Sequence, residues 1–309
     1  MSGALQAIFQ NQRSFTTVPG APTIGTATAT GSTTATVSYT APANNGGATI
    51  TSYTATSSPG GITGTLSQAG SGTITVTGLT GGTAYTFTVK ATNSVGQSAA
   101  SAASNSITTV PVIGQAYGGG FFAGQISTSG NGVATHNLIV APKSTGSASR
   151  KFASANYTIP GAASDVNGLQ NTLDAVADGD ATKYPATYFC YDLVTGGYSD
   201  WYMPAIYEHE IIYYNLRPTA YPTVSNSTSF GTNSYSVPIR ASNYTASSPA
   251  QTSVTVFQLG QSEAYIDTGY WSSTDSGNQQ WLESFYDGYQ VADTKNQTLQ
   301  VRAIRKVAV

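Results

Sequence analysis

The chain has 309 residues, a formal net charge of −2 at pH 7 and only 8% charged residues, against roughly 25% in an ordinary soluble protein. So low and balanced a charge argues against a nucleic-acid binder, which carries a basic patch. A single cysteine, Cys190, excludes an intramolecular disulfide framework and a thiolate zinc cluster, and two histidines, His136 and His209, argue against a multi-histidine metal centre.

The N-terminal residues hold no basic start followed by an apolar stretch. Gln6 and Gln10 interrupt the apolar positions, and Arg13 comes after them. No secretory signal is expected. Apolar runs such as Leu138 to Ala141 fall far short of the ~18 residues of a membrane span. Residues 1–18 are read as an attachment arm, with 1–15 ordered by packing on a partner or on sister chains.

Charge then divides the chain. From Gly20 to Val112 the only Asp, Glu, Lys or Arg is Lys90, and all 14 acidic residues lie between Asp165 and Asp293. Two domains with different surfaces are expected. In the first, Val37 and Tyr39, Ile74 and Val76, and Tyr85, Phe87, Val89 and Ala91 alternate with polar residues. Asn44-Asn-Gly-Gly47, Ser58-Pro-Gly-Gly61 and Gly81-Gly82 supply turns. That spacing predicts a β-sandwich over 19–110. Residues 111–120 read as a linker.

The remainder, 121–309, reads as mixed α+β. Phe121–Ile126 and His136–Val140 flank a Gly130-Asn-Gly132 turn, as in a hairpin. Val166, Leu169, Leu173 and Val176 recur at helical spacing over Asp165–Ala177, so that stripe is expected to face the core. A second short helix is expected over Thr182–Leu193. Pro204 starts the clearest helix, with Tyr207, Ile211 and Tyr214 along one face and Arg217-Pro218 ending it. Thr219–Gly260 reads as loop. Strands follow at Tyr270–Ser273, Trp281–Phe285 and Leu299–Arg305. Four Asn-x-Thr or Asn-x-Ser matches, at Asn156, Asn226, Asn243 and Asn296, read as ordinary loop residues without a secretory route.

Two resemblances follow from these residues. Pro19-Gly-Ala-Pro22, Ile50-Thr-Ser-Tyr53 and Gly78-Leu79 through Tyr85-Thr-Phe87-Thr-Val89 to Gly96 resemble a fibronectin type III domain. Val37 and Tyr39 stand where that family usually has Trp. The Leu79–Tyr85 spacing implies a tyrosine corner. The second resemblance rests on Asp200-Trp201-Tyr-Met-Pro204, Trp271-Ser-Ser, Trp281-x3-Phe285, Lys295 and Val301-Arg302-Ala-Ile-Arg305. It is to the Lcl C-terminal (Legionella collagen-like) family of C-type-lectin-like domains. The opening Tyr117-Gly-Gly-Gly-Phe-Phe-Ala-Gly-Gln-Ile126 is similar to versions in phage tail proteins.

Chemistry known among such relatives finds little support in these residues. Asp178-Gly-Asp180 is the best acidic loop, too few carboxylates for calcium, and reads as a helix-capping turn. Cys190 stands alone, where copper–thiolate oxidation uses paired cysteines. Glu208 and Glu210 lie two apart on a helix and point apart, Glu283 and Asp287 read as a solvated strand edge, and His209 reads as a surface helix residue. No catalytic residue, metal or cofactor is assigned.

The resemblance places a ligand face between the Trp271 and Val301 elements. Asn278, Gln279, Gln280, Tyr286, Asp287, Tyr289 and Gln290 are the candidate receptor-face residues, because exposed aromatics and amides suit adaptable recognition. Trp281 and Phe285 are expected in the core. The resulting expectation is a phage virion protein, a short tail fibre or other tail-associated adhesin, assembled in host cytoplasm. It would join other virion proteins through residues 1–15, trimerise if a fibre, and bind a host-surface glycan or protein. A capsid-decoration or baseplate protein without a receptor role, or a bacterial surface adhesin, are the competing readings.

Overall fold

The computed structural model describes residues 15–219 and 226–309. The expected attachment arm therefore lies, for residues 1–14, outside the described residues. The chain divides between Val112 and Ile113 into two compact units.

The first unit is two antiparallel sheets. One runs β1 (Thr23–Ala29), β2 (Thr34–Thr40), β5 (Gly72–Thr77), and the other runs β4 (Thr63–Leu66), β3 (Ser52–Ser58), β6 (Ala84–Thr92), β7 (Ile107–Thr108). Period-two alternation builds its core. Ala35, Val37 and Tyr39 of β2 and Tyr85, Phe87, Val89 and Ala91 of β6 point inward, with Thr, Ser and Lys90 between them. The Tyr39 and Tyr53 rings lie 4.2 Å apart, and their hydroxyls donate to Gly70 O and Ala69 O. Tyrosine thus fills aromatic volume while its polar end stays satisfied. The Tyr85 hydroxyl accepts the Thr80 N–H at 3.0 Å, closing a tyrosine corner.

Thr17, assigned above to the arm, is fastened to this unit. Its N–H donates to Gly46 O, and its carbonyl accepts from the Asn93 amide. A Cβ on Gly46, at φ 71°, would stand 2.1 Å from Thr17 O, so only glycine allows the approach.

The second unit carries two five-stranded sheets. In the first, β12 (Ser236–Val237), β9 (Gly120–Ile126), β10 (His136–Val140) and β17 (Ile304–Ala308) lie in that order, and β8 (Ala116–Tyr117) also pairs with β9. Residues 116–120, expected in the linker, belong to this hairpin. The second sheet runs β11 (Ser147–Lys151), β16 (Thr298–Arg302), β13 (Gly269–Ser276), β14 (Gln279–Ser284), β15 (Gln290–Thr294). Only the fully buried Ala303 separates β16 from β17, so the chain crosses between sheets at one small residue. The helices are α1 (Lys143–Gly146), α2 (Gly168–Val176), α3 (Pro185–Tyr191) and α4 (Ile206–Leu216). None of the described helices is long and apolar enough to cross a membrane.

The period of α2 is as expected, but its face is not. Leu169 and Leu173 are exposed, and Asn171, Thr172 and Ala175 are buried. The inward polar groups are satisfied: the Asn171 amide donates to Ser164 O and Ser273 Oγ, and Thr172 Oγ accepts the Met203 N–H. In α4, Ile211 is buried as expected, whereas Tyr214 is exposed and His209 lies inside. Trp281, expected in the core, is half-buried; Phe285 is fully buried.

Candidate recognition surface of the second unit

Buried charge holds the second unit together. Glu208 is inside, and its carboxylate accepts from the Tyr202 hydroxyl, Ala205 N–H and Gly168 N–H and pairs with Lys306 at 3.2 Å. It thereby caps α4 and meets the first N–H of α2, where a Cβ on Gly168 would stand 2.5 Å from Glu208 Oε2. Arg302 donates to Ala141 O and pairs with Glu263, and Arg305 grips Asp200 through two bonds of 2.8 Å. The spaced Asp200-Trp201 and Arg302/Arg305 elements of the sequence therefore meet as framework.

Glu210 points to the other side, as the two-residue offset from Glu208 requires. Arg240 Nε and Nη2, Asn233 Nδ2 and the Tyr244 hydroxyl all converge on it. These four donors fasten the 226–249 segment to α4. Asn226 adds a tie, accepting from the Tyr213 hydroxyl at 2.7 Å and donating to Thr245 O and Pro249 O. The sequence showed this segment only as loop, and its holding residues carried no periodic signal.

The candidate residues of 278–290 do not form one face. Asn278 and Gln279 are exposed at the β13–β14 turn; Tyr286, Asp287, Tyr289 and Gln290 lie at the opposite end of β14, at its turn into β15. The six residues of β14 separate the two groups by roughly 17–20 Å. Gln280 is fully buried, donating to Ser272 O and Thr274 O at 2.8 Å, and so is not a receptor-face residue. Asp287 accepts from the Ser284 hydroxyl and the Tyr289 N–H, and so shapes the turn. Gln290 donates to Glu283 at 2.6 Å.

Glu283 is not at a solvated edge. It is fully buried, and burial pushes its carboxyl pKa well above the usual range. His209 is also fully buried. Its Nε2 faces Trp271 O at 3.0 Å, and burial lowers its pKa to about 3. With Nε2 donating to a carbonyl, the neutral ring leaves Nδ1 as an acceptor. Asp275 and Lys295 form a buried ion pair, with further Lys295 bonds to Tyr157 O and Gly277 O. Asp178 and Asp180 are exposed, and Asp178 pairs with Lys183 at 2.7 Å. Cys190 is fully buried, and burial raises its thiol pKa. Among the described residues no three His, Cys, Asp or Glu side chains gather as a metal site.

Tyr286 and Tyr289 remain as outward aromatic groups, 46% and 45% exposed. Their turn is braced from the 226–249 segment: Ser227 N–H donates to Asp287 O at 2.8 Å, and the Phe230 ring meets the Tyr289 ring edge-on at 5.2 Å. Gly288 lies where a Cβ would strike Tyr213 and Tyr244, so the turn sits hard against the core.

The two sheets and tyrosine corner of the first unit define an immunoglobulin-like sandwich. Residues 20–107 match the family model described as Fibronectin type III domain, and that segment is such a domain. Similar solved structures include "Titin kinase and its flanking domains" (28% identity, TM-score 0.26, 30% of this chain and 17% of that one). Another is the twitchin kinase region from C. elegans (24%, TM-score 0.26, 30% and 17%). A third is a human FNIII domain in solution (24%, TM-score 0.27, 38% and 96%). The match thus spans about a sixth of the length of the first two of these. No curated protein matches the chain.

Proposed function

We propose that the chain is a phage virion protein, a short tail fibre or tail-associated adhesin. In this reading residues 1–15 attach it to other virion proteins, and the fibronectin type III domain is a spacer. The second unit is a C-type-lectin-like domain of the Lcl C-terminal kind and contacts the host surface. What supports a recognition role is the pair of exposed tyrosines, Tyr286 and Tyr289, on a turn braced by Asp287 and Phe230. A rigid mount with exposed aromatic side chains suits an interface anchor.

The test is adsorption of the purified chain to bacterial cells, paired with melting of the same variants. Tyr286→Ala and Tyr289→Ala are each expected to weaken adsorption by about 1–2 kcal/mol while changing stability by less than about 0.5 kcal/mol. Normal adsorption by both variants would remove the recognition role from this turn and favour a decoration or baseplate protein.

A further inference from the structure

The ion pairs among the described residues differ in what their cations can do chemically. Arg240, Arg302 and Arg305 carry guanidinium groups, which stay charged and offer no nucleophilic nitrogen. Lys183 and Asp178 are open to water, and Glu208 beside Lys306 already accepts from three other donors. Lys295 and Asp275 stand apart, with side chains 0% and 4% exposed. Both backbones are pinned. The Asp275 N–H donates to Ala162 O at 2.7 Å, the Lys295 N–H donates to Asn156 Oδ1 at 3.2 Å, and Lys295 O accepts the Ala153 N–H at 2.9 Å. Lys295 Nζ lies against Asp275 Oδ1, with Tyr157 O beside it, Gly277 O at 2.9 Å and the Phe152 ring centroid at 5.7 Å. The other carboxylate oxygen, Oδ2, accepts the Ile159 N–H at 2.8 Å.

We propose that Lys295 and Asp275 become joined covalently in the folded chain, by an amide between Nζ and Cγ. The ion pair is the reactant. One Nζ proton passes to Oδ1, leaving an uncharged amine beside an uncharged acid, the form that a dry site favours. Burial already lowers the Lys295 pKa, against the opposing pull of Asp275. The nitrogen lone pair then adds to Cγ, and the negative charge developing on Oδ2 meets the Ile159 N–H. Collapse breaks the Cγ–Oδ1 bond, and a second Nζ proton leaves with that oxygen as water. The third proton stays on the amide nitrogen. Ammonium and carboxylate thus become amide and water, with no oxidant and no co-reactant. Holding the two groups in contact replaces an encounter between free groups, and exclusion of water disfavours the return. The bond ties β13 to the turn between β15 and β16 and closes a loop over 275–295, with Tyr286 and Tyr289 inside it. It does not depend on the recognition role of those tyrosines.

The experiment is mass spectrometry of the full chain, folded first and then denatured and digested. The wild-type chain is expected to be lighter than its sequence by one water. Lys295→Arg, which keeps the charge and removes the amine, should have its full sequence mass. Trypsin should leave the denatured wild-type chain uncut after Lys295, because an acylated lysine is no longer a cleavage site. Chymotrypsin, cutting between Asp275 and Lys295 at Trp281, Phe285, Tyr286 or Tyr289, should release a branched peptide whose fragments place the missing water at Asp275 and Lys295. A chain recovered in denaturant from inclusion bodies should have full mass and lose the water only on refolding. Digestion of the wild-type chain carries the test even where the variant fails to fold. A folded chain of full sequence mass, tryptic cleavage after Lys295, or a missing water located as a cyclic imide at Asp178-Gly179 or Asp287-Gly288 would each overturn the proposal.

Discussion

The two units bury their backbones around opposite kinds of interior. In the fibronectin type III domain the core is Val, Ile, Ala, Leu, Phe and three tyrosines whose hydroxyls reach backbone groups. In the second unit Glu208, Glu210, Asp275, Glu283, Lys295, Arg302 and Arg305 are all buried. The charge boundary in the sequence does mark the division of the chain, but it was read as a difference of surfaces. It is at least as much a difference of interiors. Long irregular segments explain why. A strand satisfies its own backbone through the ladder, whereas the 226–249 segment and the helix ends of the second unit need side-chain donors and acceptors.

That contrast makes single-residue truncations unequal. The largest expected effect is at the Asp275–Lys295 pair. Asp275→Ala strands a buried ammonium and should destabilise the second unit by about 3–5 kcal/mol. Replacing both, as Asp275→Leu with Lys295→Met, should cost less than the single change, because neither charge is then left dry. Denaturant unfolding read separately for the two units checks this. A double variant less stable than the single one would show that the pair contributes net attraction beyond its own desolvation.

The next effect is a pH dependence confined to the second unit. His209 has its pKa lowered from 6.5 to about 3 in the folded state. Its contribution is fully present above the unfolded value of 6.5 and is lost progressively as pH falls from 6.5 towards 3, on the order of 5 kcal/mol in all. Glu283 acts with the opposite sign. Its folded pKa is raised, so its contribution is present below the usual carboxyl value and declines as pH rises above it. His209→Phe should therefore flatten the acid limb of the stability curve, and Glu283→Gln the limb above it. An acid limb unchanged in His209→Phe would mean that other groups govern it.

Burial ranks the tryptophans. Trp271 is fully buried and should cost about 3–5 kcal/mol on truncation to Ala. Trp281 is half-buried and should cost about half as much, since less area leaves water. Melting of both variants tests the ranking, and equal losses would place Trp281 in the core after all.

How much of this was readable follows from the same contrast. In the first unit, alternation around Val37, Tyr85 and Val89 specified strands, face and core, because apolar side chains pointed inward at every second position. In the second, the periods of α2 and α4 were legible but their faces were not. Hydropathy puts Leu169 and Leu173 inside and Asn171 and His209 outside, and hydrogen bonding reverses both. Residues 278–290 stand together because the resemblance places a ligand face between the Trp271 and Val301 elements, yet β14 carries them to its two ends. Gln280 shares a face of β14 with the buried Leu282, whereas Glu283 lies on the opposite face and is buried there too, which strand alternation alone does not specify. The tie of the 226–249 segment to α4 depends on a buried Glu210 that no local pattern could separate from a surface carboxylate.

The smallest expected effect belongs to the first unit and tests whether its polar contacts matter as much as those of the second. Tyr85→Phe keeps the ring buried and removes only the hydroxyl that accepts the Thr80 N–H at 3.0 Å. The corner sits where the chain leaves β5 for β6, next to a loop that water can reach, so the freed N–H has an alternative partner. The expected loss is about 1 kcal/mol, the net worth of one neutral hydrogen bond. It should appear in the unfolding of the first unit alone, with the pH dependence of the second unchanged. A loss near that of Asp275→Ala would mean that the tyrosine corner holds the turn between β5 and β6 as firmly as a buried ion pair holds the second unit, and the contrast between the two interiors would fail at that point.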